Sequence, residues 1–75
     1  MVVEYVEVHD LGDYKQAHYR CNFCAYSYFK EGALYYFRVN RFEYKTVPSD
    51  KLISIKEDGE TLVIGLYARL RGVKV

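Results

Sequence analysis

Residues 51–65, KLISIKEDGETLVIG, set two β-branched runs on either side of an Asp-Gly pair. Asp and Gly tolerate the left-handed backbone that a two-residue hairpin turn demands, so Asp58–Gly59 is expected at the tip of a β-hairpin. Counting away from that tip sets Ile55 opposite Leu62 and Ile53 opposite Ile64, all on one apolar face. Leu66, Ala68 and Leu70 continue the same phase. This stretch alone commits the last third of the chain to antiparallel β-structure.

The rest of the chain agrees with it. Residues 2–9 are rich in Val and Tyr and read as a strand. The stretch 10–15, DLGDYK, reads as a turn. Residues 17–23 alternate, with Ala17, Tyr19, Cys21 and Phe23 on one face and His18, Arg20 and Asn22 on the other. KEG at 30–32 suits a second hairpin turn, with Gly32 taking positive φ. Within 33–47 the phase switches: Tyr35, Phe37 and Val39 share one side, Phe42, Tyr44 and Thr46 the other, so a bulge or turn is expected near Asn40–Arg41. A helix over 33–45 is disfavoured by so many aromatic and β-branched residues. VPSD, with the single proline Pro48, breaks the chain again. The expected fold is one all-β domain over residues 1–75, a small barrel or half-open antiparallel sheet of about five strands, with α+β as the fallback.

A chain of 75 residues buries only about 60% of the surface it exposes when unfolded, so a staple or a partner would help it. Its apolar content of 51% rules against disorder. No apolar run approaches the ~20 residues of a membrane-spanning helix. The N-terminal MVVEYVEVHD is acidic and alternating, unlike a leader peptide, so the expected compartment is the cytoplasm, with reduced cysteines. Scarce Asn, Gln and Met beside plentiful Tyr, Val, Lys and Glu resemble a heat-adapted composition.

Cys21 and Cys24 pose a geometric question. Side chains three apart on a continuous strand point to opposite faces, so the two thiols converge only if the backbone turns at Asn22–Phe23. YRCNFCAYSY, residues 19–28, resembles the single knuckle of a zinc ribbon or rubredoxin, in which a Cys-x-x-Cys turn follows an aromatic strand. The resemblance covers these ten residues and implies a zinc-binding turn. It differs at Ala25, where the knuckle carries glycine, and in having no second Cys-x-x-Cys. His18 and His9 are the residues that would complete a site with Cys21 and Cys24, because zinc accepts two thiolates and two imidazoles in a tetrahedron. One zinc ion is thus the candidate cofactor. A zinc shared between two chains, a redox dithiol, and two reduced structural cysteines are the alternatives; strand alternation favours the last. Neither histidine lies in a nucleophile–base pattern and no phosphate-cradling glycine loop occurs, so no enzymatic activity is expected.

The net charge of +1 hides a partition. Residues 1–13 carry Glu4, Glu7, Asp10 and Asp13 and no cation, whereas residues 14–48 carry six Lys and Arg against Glu31 and Glu43. That basic middle also holds 11 aromatic residues between Tyr14 and Tyr44, too many for so small a core to bury. Aromatic rings that stack on bases, interleaved with cations for phosphates, are the pattern of a β-sheet that binds nucleic acid. The candidate phosphate contacts are Arg20, Lys30, Arg38, Arg41 and Lys45; the candidate stacking residues are Tyr35, Phe37 and Tyr44. The alternative is a protein-interaction or assembly module, a zinc-stabilised homodimer among its forms, that uses the same aromatic surface or an open strand edge.

Overall fold

The computed structural model describes residues 1–75 and contains seven strands: β1 Val2–Gly12, β2 Lys15–Cys24, β3 Ser27–Glu31, β4 Leu34–Arg38, β5 Tyr44–Pro48, β6 Leu52–Glu57 and β7 Glu60–Ile64. A 3₁₀ turn at Ser49–Lys51 precedes β6, and a short helix, α1 Leu66–Arg71, follows β7. The strands form two open antiparallel sheets, one in the order β2-β1-β6-β7 and one in the order β3-β4-β5. The all-β reading holds, in its half-open form and with seven strands in place of five. No helix is long and apolar enough to cross a membrane.

Three layers result. The larger core cluster lies between the sheets and joins Val3, Tyr5, Leu52 and Ile55 to Phe37 and Val47. A second cluster, Val6, Ile53 and Ala68, lies on the other side of the four-stranded sheet and seats α1 against it. Strand β6 is therefore covered on both faces, which is why Leu52, Ile53, Ser54 and Ile55 are buried in succession where a half-exposed strand would alternate. An irregularity in the β1–β6 ladder between Glu4 and Tyr5 lets this run serve both layers.

Turn chemistry sets the registers. Asp58 (φ 49°) and Gly59 (φ 83°) both adopt the left-handed backbone expected at the β6–β7 tip. The β1–β2 turn is shorter than the stretch 10–15: Asp13 (φ 50°) and Tyr14 (φ 62°) are its two central residues. Asp10 Oδ1 accepts a 2.9 Å hydrogen bond from the Gly12 amide just ahead of it.

Two expectations for the C-terminal third are corrected. A bulge between Ile55 and Lys56 shifts the β6–β7 register, so Ile55 faces Val63 and Ser54 faces Ile64. One inserted residue reverses the faces beyond it, which turns Val63 toward the core and leaves Leu62 and Ile64 exposed. Leu66, Ala68 and Leu70 do not extend the strand; they lie in α1, which buries Ala68 alone. The change of structure happens at Gly65, whose amide donates to the Ile53 carbonyl at 2.8 Å. A Cβ at Gly65 would overlap the Leu52 carbonyl oxygen at 1.9 Å, so only glycine lets the chain leave the sheet there. Gly65→Ala should lower unfolding free energy by about 2 kcal/mol or more, because the backbone it strikes belongs to the doubly covered strand. Urea unfolding measures this, and a variant as stable as the parent would contradict the packing described.

Candidate nucleic-acid interface

The three-stranded sheet divides its aromatic residues between two faces. Gly32 (φ 59°) leads a two-residue turn with Ala33, and this fixes Glu31 opposite Leu34, Phe29 opposite Tyr36 and Tyr28 opposite Phe37. After the loop at 39–43, β5 returns with Arg38 opposite Tyr44 and Phe37 opposite Lys45. Strand alternation then sends Tyr28, Tyr35, Phe37 and Val47 toward the core and Phe29, Tyr36, Arg38 and Tyr44 away from it.

The outward rings form one patch. Phe29 and Tyr36 lie parallel, with centroids 4.9 Å apart and 7° between planes. Tyr44 meets Phe29 edge-on at 6.0 Å and 72°. Phe29 is 47% exposed and Tyr44 56% exposed, while Tyr36 is half-buried between its neighbours, so much of the first two rings stays in solvent. At one end of the patch Arg38 reaches back over the loop, donating through Nε to the Asn40 carbonyl at 3.3 Å and through a terminal nitrogen to the Arg41 carbonyl at 3.2 Å. Asn40 Oδ1 accepts from the Phe42 amide at 2.8 Å, and the Val39 amide donates to the Glu43 carbonyl at 3.1 Å, which closes the loop. Tyr26, Ser27, Arg38, Asn40 and Arg41 line a groove there. The ion pairs of the protein lie elsewhere, so neither arginine is neutralised by a carboxylate.

Arg38, Arg41 and Tyr44 are thus brought together, and the other five candidates of the basic middle are placed apart from them. Phe37 is fully buried at the centre of the main core, which corrects its expected role as a stacking residue. Tyr35 faces inward and stacks on Phe37 at 6.0 Å and 15°. Lys45 lies over the rings of Phe23 (4.8 Å) and Tyr5 (5.0 Å), and Lys30 over Tyr35 (5.7 Å), so both ammonium groups are held at aromatic faces by cation–π attraction. Arg20 stands on β2 and pairs with Glu4 at 2.9 Å. Phe29, Tyr36 and Tyr26 were not among the candidates from sequence. The turn at Gly32 is the signal that could have found the first two, because fixing its position pairs Phe29 with Tyr36.

The four candidate metal ligands do not converge. Strand β2 runs unbroken through Asn22–Phe23, with Cys21 opposite Tyr5 and Cys24 opposite Val2 on β1. Cys21 packs against the main core while Cys24 is exposed, and both are free thiols. The turn of a zinc knuckle is replaced by a continuous ladder. The bend comes later, at Tyr26, just after buried Ala25, whose amide donates to the Met1 carbonyl at 2.9 Å and whose carbonyl accepts from the Met1 amino group at 2.8 Å. His18 Nδ1 lies 2.9 Å from the Tyr67 hydroxyl on the helix side of the sheet. His9 lies 3.3 Å from Glu7 and edge-on to the Tyr19 ring. No three His, Cys, Asp or Glu side chains cluster within the chain.

Hydrogen bonds from His9 and, second, from the Tyr5 hydroxyl hold the Glu7 carboxyl below its ordinary value of 4.5. A lowered folded-state value means that this stabilisation is present above the unfolded carboxylate pKa and is lost as pH falls through the folded one. The stability difference between the parent and Glu7→Gln should therefore shrink on acidification through and below the carboxylate range. A difference in urea unfolding that stays constant or grows there would contradict the Glu7 hydrogen bonds. No protein-family model, no curated protein and no solved structure matches this chain.

Proposed function

We propose that the protein is a non-enzymatic binding module and that the outer face of β3–β4–β5 contacts nucleic acid. The observation that supports this most is the patch of exposed Phe29 and Tyr44 around half-buried Tyr36, which ends at two arginines that have no acidic partner. Contiguous exposed rings forgo roughly 25 cal/mol per Å² of apolar burial, and such patches mark binding surfaces. Guanidinium groups present forked donors that match phosphate oxygens. With a net charge of only +1, attraction must come from this local arrangement and not from the whole molecule.

A second reading is favoured by one observation on the opposite side. Strand β7 is a free sheet edge, and Leu62, Ile64, Leu66 and Leu70 are exposed along β7 and α1. Edge-to-edge pairing with a second copy would cover them. A native mass of one chain at micromolar concentration would remove this reading.

Fluorescence anisotropy of a labelled oligonucleotide tests the first. Two phosphate contacts imply that log K falls against log salt with a slope of about −1.4 to −1.8. Arg38→Ala and Arg41→Ala should each flatten that slope by about 0.7–0.9. No binding at low salt would overturn the proposal.

A further inference from the structure

We infer that the ligand of this face is a single strand, held by the stacking of two neighbouring bases on Tyr44 and on the Phe29–Tyr36 pair, with the phosphate between them in the Arg38–Arg41 groove. The inference rests on the proposed nucleic-acid reading and narrows it to one class of ligand. Its first support is that the Phe29 and Tyr44 rings are exposed. Within a duplex both faces of each base are covered by its neighbours, so an aromatic ring gains a stacking partner only from an unpaired base. A surface whose apolar area is three rings therefore offers a duplex very little.

The second support is the shape of the face. Proteins that read a duplex insert a helix or a two-stranded ribbon into a groove. The patch lies on the flat of a three-stranded sheet, about 10 Å from β3 to β5 at the usual strand spacing. The short helix α1 packs on the far side of the other sheet, against Val6 and Ile53, so it does not project from this one. A duplex laid on the face would meet two arginines at one end and rings elsewhere.

The third support is how charge and rings are registered. Arg38 and Tyr44 are direct cross-strand partners, so a phosphate at one and a base on the other belong to a single nucleotide step. Two carbonyls already hold the Arg38 guanidinium in place, so less freedom is lost when it meets a phosphate. Ser27 and Asn40 line the same groove and add hydrogen-bonding groups. Tyr5 and Tyr67 are the tyrosines whose hydroxyls bond within the protein, which leaves those of Tyr36 and Tyr44 available to base edges.

Three labelled probes of equal length, compared at one low ionic strength with the full chain, test the inference: a mixed-sequence single strand, the duplex of the same sequence, and an abasic single strand. The base-bearing single strand should bind at least about tenfold tighter than either of the others, the scale of stacking one base on an aromatic ring. Phe29→Ala and Tyr44→Leu should each weaken it by about tenfold and leave the abasic probe unchanged, while Tyr44→Phe should retain binding. Circular dichroism of each variant confirms folding before titration. Equal or tighter binding of the duplex would overturn the single-strand inference and leave the nucleic-acid reading standing. Equal binding of the abasic probe would overturn base stacking. Failure of all three probes would overturn the nucleic-acid reading itself.

Discussion

Strand β6 is enclosed on both sides, and the rest of the architecture follows from that enclosure. Leu52 and Ile55 press toward the three-stranded sheet, while Ile53 presses toward Ala68 of α1. Each fully buried aliphatic side chain of this kind contributes about 1.5–3 kcal/mol relative to an exposed one. A chain of 75 residues has few such residues, so concentrating them in one central strand lets two thin layers share it. Gly65 belongs to the same constraint, because the chain can turn back over β6 only where no side chain meets the Leu52 carbonyl.

The enclosure also decides which aromatic residues stay exposed. Layering helix, four-stranded sheet and three-stranded sheet covers both faces of the middle layer but only one face of the last. Phe37, Tyr28 and Tyr35 serve the covered face, and Lys45 of β5 lies over the Tyr5 and Phe23 rings of the other sheet. The alternate residues Phe29, Tyr36 and Tyr44 then face outward by necessity of the pleat. Their contacts with one another add about 0.2–1 kcal/mol per cross-strand pair, while the outer surfaces of Phe29 and Tyr44 stay in solvent.

Much of the fold could be read locally. The Asp58–Gly59 tip and the shared face of Ala17, Tyr19, Cys21 and Phe23 depend on neighbours in the chain, and both were legible. The break near Asn40–Arg41 was legible for the same reason, although its length was not. The Ile55–Val63 pairing was hidden, because Leu62, Val63 and Ile64 are all apolar and show no change of phase where the bulge falls. The helix at 66–71 was hidden because Leu66, Ala68 and Leu70 suit a strand as well as a helix. Cys-x-x-Cys carried less than its spacing suggested, since the pairing of β2 with β1 decides whether the chain turns between the thiols. At the candidate interface Arg38, Arg41 and Tyr44 could be named from charge and ring content. Separating Phe29 and Tyr36 from Phe37 and Tyr35 required knowing which face the second sheet covers, a property of the layers and not of the strand.

The claim that function resides on the uncovered face of β3–β4–β5 is tested most directly by amide chemical-shift mapping of the isotope-labelled protein titrated with an unlabelled single-stranded oligonucleotide. The structure leads us to expect shifts confined to Phe29, Tyr36, Arg38, Arg41, Tyr44 and their immediate neighbours, with β7 and α1 unmoved. Shifts concentrated on β7 and α1, on the β1–β2 ribbon, or nowhere would contradict it.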